Sequence, residues 1–356
     1  FGFIMSPDSF YYSMYADDLI RLNFNLNNFY SSDTSIPNHN PRYTITIPVF
    51  LMALSKFIFG TGWQYAFIIL NIFLVFLSLI LFSKSLLLLK VRPLLIFLAM
   101  PILSLSVDLL SYPRFILTDT IFAFFIMLLV FLIVKSIVEQ KFNYFLIILV
   151  MISVHFTRPT ALPYNFAILI FILMMMYRIN YTPKLIILFI SILAILIPII
   201  LATLHNLMEL YQNDLPSQLK FILNYANKGI VVLKRQETYI QPPPINFFEN
   251  IYFYLIKIIY FFKFYSVEFS TTHKVLNVLQ NLIIFFTIIL WFFLKTNTKA
   301  INETFLFVLF LSLTIAAFHS FTLIDHDWRF RYPLIQPLIM LFPISIEVLL
   351  RNNYIK

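Results

Sequence analysis

Ile68-Ile69-Leu70-Asn71-Ile72-Phe73-Leu74-Val75-Phe76-Leu77-Ser78-Leu79-Ile80-Leu81-Phe82 runs without a charged side chain, and its apolar residues do not keep to one face of a helix or strand. Ile186 to Leu204 repeats the pattern. A bilayer core about 30 Å thick takes about 20 apolar residues per helical crossing, and such runs recur along the chain between short polar breaks. Strands of a membrane barrel would alternate polar and apolar residues, which these runs do not. The expected fold is all-α, a polytopic membrane protein of about nine or ten transmembrane helices with additional interfacial helices.

The composition agrees, with 61% hydrophobic and 12% charged residues and a mean hydropathy of +0.88. Soluble domains carry roughly 25% charge, so a water-soluble fold is excluded. Cysteine is absent, which rules out disulfides, thiolate zinc sites and iron–sulfur clusters. Four glycines in 356 residues argue against a channel of closely packed glycine-lined helices. Phe1 precedes a polar segment without a signal peptide or a complete first helix, so a missing N-terminal portion is expected. No Pro/Gly/Ser-rich linker and no repeat divides the chain, so residues 1–356 are expected to form a single domain.

Apolar runs place crossings near 64–83, 93–107, 114–134, 143–157, 159–177, 185–204, 275–294, 304–323 and 332–350. Breaks with Lys84, Lys90 and Arg92, Lys135 and Lys141, Arg178 and Lys184, Lys295 and Lys299, and Arg351 and Lys356 become cytoplasmic by the positive-inside rule. Residues 1–60 and 205–273 are then long extracytoplasmic loops. Within them, 46–59 and 246–264 are expected to lie in the interface, because Lys56, Lys257 and Lys263 interrupt runs that would otherwise cross and upset the parity. Nearly all carboxylates fall outside. The cations of the short outer turns are arginines, namely Arg42, Arg114, Arg158, Arg329 and Arg331, and arginine suits bidentate binding of phosphate or carboxylate.

Polar clusters mark that outer side. In Ser6-Pro7-Asp8-Ser9-Phe10-Tyr11-Tyr12, Pro7 opens a helix, and Asp8 is either a helix-start carboxylate or a base whose pKa apolar neighbours raise. In Tyr112-Pro113-Arg114-Phe115-Ile116-Leu117-Thr118-Asp119-Thr120, Thr118 or Asp119 is either an N-cap or part of a site, and exposing Asp119 to lipid would cost about 2.5–3.5 kcal/mol. His155-Phe156-Thr157-Arg158-Pro159-Thr160 joins two helices; Thr157 and Pro159 suit a turn, while Arg158 asks for an anion. Asp325-His326-Asp327-Trp328-Arg329-Phe330-Arg331-Tyr332-Pro333 puts two arginines beside an aromatic, an arrangement for clamping a phosphate or for snorkelling to headgroups. The D-x-D spacing of Asp325 and Asp327 falls outside, where nucleotide sugars are scarce. Asn302-Glu303-Thr304 matches a glycosylation acceptor but is expected in a cytoplasmic loop. The histidines show no metal-ligand spacing, so no metal site and no cofactor is expected.

Together these stretches resemble the GT-C membrane glycosyltransferases that use polyprenyl-phosphate sugars, the family of protein O-mannosyltransferases and lipid A aminoarabinose transferases. Pro7-Asp8-Ser9-Phe10-Tyr11-Tyr12 with Ala16 and Leu19 is similar to the family's first extracytoplasmic loop, whose Asp is the catalytic base. Asn40-Pro41-Arg42-Tyr43 through Pro48 and Gly60 resembles the motif ahead of the second helix. Leu117 to Thr120, Phe156 to Thr160 and Arg329 to Pro333 are similar to later signatures. Ser9 stands where some members carry a second carboxylate, and the soluble C-terminal domain of some members is missing.

The resemblance implies transfer of a sugar from a polyprenyl-phosphate donor to a lipid, glycan or protein acceptor at the outer face of a bacterial plasma membrane, with inversion. Asp8 would be the base, Asp119 its assistant, and Arg42, Arg114, Arg158, Arg329 and Arg331 would hold the donor phosphate. Membrane lipids would be its other partners, and nucleic acid would not. An O-antigen polymerase or ligase, or a transporter or flippase of an anionic lipid, remain the alternatives, the latter kept open by Pro101 and Pro198.

Overall fold

The computed structural model describes residues 2–31, 42–104, 106–158, 160–176, 197, 199–200, 202–211, 213, 246–265, 270–294, 298–322 and 330–354. It is 86% helical and has no strands among the described residues. In chain order the helices are α1 (Pro7–Arg21), α2 (Leu26–Ser31), α3 (Thr46–Phe59), α4 (Trp63–Leu88), α5 (Pro93–Ser104), α6 (Val107–Ser111), α7 (Asp119–Glu139), α8 (Tyr144–His155), α9 (Ala161–Met176), α10 (Phe247–Phe261), α11 (Thr271–Phe293), α12 (Lys299–Thr322) and α13 (Tyr332–Tyr354).

Helical stretches long and apolar enough to cross a bilayer are Arg42–Leu88, Asp119–Glu139, Thr271–Phe293, Lys299–Ser320 and Tyr332–Asn352. Pro93–Ser104 with Val107–Arg114, bent by 74°, makes a further crossing if taken as one. Tyr144–His155 and Ala161–Met176 are apolar but shorter. The chain is an all-α polytopic membrane protein, since helices satisfy most of their backbone groups within the segment and so can cross a bilayer. The expected crossing at 185–204 lies largely outside the described residues.

Contacts divide the chain into two compact units, Phe1–Phe166 with Tyr332–Lys356, and Ala167–Arg331. In the first unit α4, α5, α7 and α13 pack together, and α8 packs on α7. Its two ends are set by buried polar contacts. At one end the Glu347 carboxylate accepts from the Arg92 backbone N–H at 3.0 Å and from Arg351 Nε at 2.9 Å, while Arg351 also donates to the Lys90 carbonyl at 2.6 Å. This is the lysine-rich end. At the other, Asn71 Nδ2 donates to the carbonyls of Pro113 and Phe115 at 3.3 Å, and the Tyr332 hydroxyl hydrogen-bonds Thr120. Between Arg92 and Tyr112 the chain therefore returns from one end to the other, so the bent pair α5–α6 traverses the unit.

Residues ahead of α4 form a small cap on the second end. Tyr12, Tyr15, Ala16 and Leu19 of α1, Phe29 of α2, and Val49, Met52 and Ala53 of α3 share one core with Phe67 and Leu74 of α4 and Ile121 of α7. Lys56 ties α3 to α1 through Ser13 Oγ (2.8 Å) and Asp17 (2.7 Å). Gly60 ends α3 at φ +55°, a backbone that a side chain would strain.

Two expectations are corrected. The crossing expected from residue 114 begins at Asp119, because Tyr112–Arg114 is a 3-10 turn and Phe115 is extended beside Ile4 in an isolated parallel bridge. Asn302-Glu303-Thr304, expected in a loop, lies in the first turns of α12 with all three residues buried. The first turn closes on the Thr298 carbonyl, which accepts from the Ile301 and Asn302 N–H groups at 3.1 and 3.2 Å.

Candidate functional site

The end of the first unit opposite Lys90, Arg92 and Arg351 gathers loops far apart in the chain. Ile4 N–H donates to the Arg114 carbonyl at 2.9 Å, and Ile116 N–H donates to the Ile4 carbonyl at 3.2 Å. The Ile47 N–H donates to the Phe156 carbonyl at 3.0 Å, and the Tyr43 ring lies 6.4 Å from that of His155 in a stacked orientation. These backbone clips bring together the loops ahead of α1, α3, α7 and α9.

Asp8 occupies the first turn of α1, half-buried. The helix starts there because Ser6 and Ser9 form a reciprocal capping box, with backbone-to-hydroxyl contacts of 3.0 and 3.3 Å, and because Pro7 is already held in a helical φ. Asp119 opens α7, is fully buried, and forms an ion pair with Arg158, itself 6% exposed. An unpaired charge at this depth would be costly, and the guanidinium supplies its partner. Thr118 holds the N-cap position, yet its hydroxyl makes no cap hydrogen bond. Asp119 is thus a buried charge with a dedicated partner rather than a capping group.

Around this pair lie side chains that sequence reading did not single out. Tyr164 is 1% exposed and within electrostatic reach of both Arg158 and Asp119. Tyr332 is 2% exposed, and its ring centroid is 4.5 Å from that of Tyr112. Asp108, buried in the first turn of α6, reaches Tyr332 electrostatically, as does Asp119. Asn71 was visible as an amide inside an apolar run, a standing signal for an inward-facing polar contact. The tyrosines gave no such signal, since Tyr is common throughout the chain.

The expected arginines divide. Arg114 is exposed, with Nε donating to the Gly2 carbonyl at 3.2 Å. Arg42 is buried, donates to Asp18 at 2.8 Å and to the Phe29 carbonyl at 2.9 Å, and covers the rings of Tyr15 and Phe29. It fastens the cap. Arg158 serves Asp119. Arg331 belongs to the second unit, where it donates to the Lys263 carbonyl at 2.6 Å, and Arg329, with Asp325 and Asp327, lies outside the described residues.

No family model, curated protein or solved structure matches this chain.

The second unit has a polar stripe of its own. On α10, Asn250, Phe253, Tyr254, Lys257 and Phe261 are buried at helical spacing. His205 Nδ1 lies 2.7 Å from the Tyr254 hydroxyl, and Asn250 donates to Asn206 at 3.3 Å. Lys257 Nζ is buried without a hydrogen-bond partner among the described residues, 4.8 Å from the Phe253 ring centroid. Burial pushes its ammonium down from 10.5 to about 7, because a low-dielectric surround penalises the charged form.

Proposed function

We propose that the chain is a membrane glycosyltransferase that moves a sugar from a polyprenyl-phosphate donor to an acceptor at the extracytoplasmic face, the end opposite the lysine-rich one. The observation that carries this reading is the convergence, at one end of the first unit, of the helix start bearing Asp8, the exposed Arg114 and the buried Asp119–Arg158 pair. Asp8, half-exposed at that end, would take the acceptor proton. Arg114 would meet the donor phosphate as charge develops on the leaving group. Asp119, locked by Arg158, would fix the floor beneath them. The bond broken joins the anomeric carbon to the phosphate oxygen, and the acceptor oxygen or nitrogen forms the new one.

Membranes carrying the protein, incubated with labelled polyprenyl-phosphate sugars, should release sugar to an acceptor, and Asp8→Asn should lower that transfer at least a hundredfold, within the span of general-base effects. Undiminished transfer by the variant removes Asp8 from the chemistry. The break between α5 and α6, with Pro101 inside α5, favours a second reading, a carrier of an anionic lipid. Movement of the intact labelled lipid across the bilayer without sugar release would decide for it.

A further inference from the structure

At the basic end of the first unit a groove of about 410 Å³ opens between the last turns of α4 and α7, lined by Lys84, Leu87, Leu88, Phe131, Lys135 and Glu139. We propose that this groove binds the phosphate headgroup of an anionic phospholipid, with the acyl chains running along its apolar wall. Helix α4 has 26 residues, about 39 Å at 1.5 Å per residue, against a hydrocarbon core of about 30 Å. Its last turns therefore reach the headgroup layer, and Lys84 stands there exposed, making no ion pair among the described residues. Lys135, one turn from the end of α7, meets Glu139 at 3.8 Å with both side chains about half-exposed, a contact too solvated to neutralise either charge.

Two flexible ammonium groups above Leu87, Leu88 and Phe131 match a ligand that is anionic at its head and apolar below. Neither lysine stands in the last turn of its helix, and the helix dipole acts only within that turn, so it does not account for these charges. The positive-inside rule assigns this end to the cytoplasmic leaflet, where anionic lipids are held at about 1 kcal/mol per basic residue. The neighbouring Lys90, Arg92 and Arg351 add positive potential, although Arg92 and Arg351 are shared with Glu347.

Native mass spectrometry of the protein, purified in mild detergent and exchanged with phosphatidylglycerol or phosphatidylcholine, tests the site without reference to catalysis. The wild type should retain phosphatidylglycerol preferentially, and Lys84→Gln with Lys135→Gln should cut that retention about thirtyfold. Lys141→Gln, at the same end but not lining the groove, should leave it unchanged, and Lys84→Arg with Lys135→Arg should keep it. Both lysines are exposed and Gln sustains a helix, so the double variant should fold with an unchanged melting temperature. Equal retention by wild type and the Gln variant, or equal retention of the two lipids, overturns the proposal. So does displacement of the lipid by millimolar inorganic phosphate, which would make the groove a phosphate site.

Discussion

Asp119 opens α7, Arg158 lies in the turn ahead of α9, and the two meet where almost no water reaches, so each is costly without the other. Asp119→Asn or Arg158→Gln should lower stability by about 3–5 kcal/mol, and the double variant should lose less than the sum. Thermal unfolding in detergent reads this, and simply additive losses would mean that the two side chains are not coupled. Lys257 behaves in the opposite sense. Its folded value, about 7, lies below its ordinary 10.5, so between those values the unfolded chain binds the extra proton. Stability should therefore rise with pH from about 7 to about 10.5, because only the folded state has given up the proton there. Lys257→Met should flatten that rise and stabilise the protein at pH 7; a pH profile identical to wild type would place the amine in water. The sequence made Asp119 and Arg158 legible, since ionisable groups beside apolar runs need partners. Which partner each takes was not legible, and Arg42, read as a phosphate ligand, is engaged with Asp18, Tyr15 and Phe29.

Among the elements, α4 shows how this glycine-poor chain closes its helices. Val91 N–H bonds the Leu86 carbonyl at 3.1 Å and Lys90 N–H bonds the Leu87 carbonyl at 2.9 Å, the paired bonds of a Schellman end. The residue in the left-handed position is Lys90 at φ +59°, where glycine usually stands. Lys90→Gly should relieve the crowding between Cβ and the carbonyl and stabilise the α4–α5 connection by about 1 kcal/mol, allowing for the extra freedom of glycine in the unfolded chain. The Arg351 contact uses the Lys90 carbonyl, so the substitution keeps it. An unchanged or lower unfolding midpoint in a denaturant series would mean that the lysine side chain contributes more than the strain costs. Helix existence was legible throughout because apolar runs have no other way to cross a membrane. Boundaries were less so, since the start of α7 depends on Ile4, more than a hundred residues away, pairing beside Phe115.

For the whole molecule, composition alone fixed the class, and alternating lysine-bearing breaks gave an order of crossings that the first unit obeys. Lys90, Arg92 and Arg351 meet at one end, while the segments around Arg114, Phe156 and Tyr332 lie at the other. Charge patterning carries that information because moving a basic loop through a bilayer is costly, whereas the packing of one helix on another leaves little trace in residues that are apolar on all sides. What charge patterning assigns, and packing by itself does not, is which end faces the cytoplasm. The chain has no cysteine, so single thiols report on topology without background. Arg114→Cys and Lys141→Cys place them at exposed positions, one in the turn before α7 and one just beyond its end. In intact cells a membrane-impermeant maleimide should label position 114, and position 141 should react only after permeabilisation. Reversal of the two patterns would turn the proposed transferase site toward the cytoplasm and exclude an extracytoplasmic acceptor. Labelling of both thiols from one side would mean that α7 does not cross the bilayer.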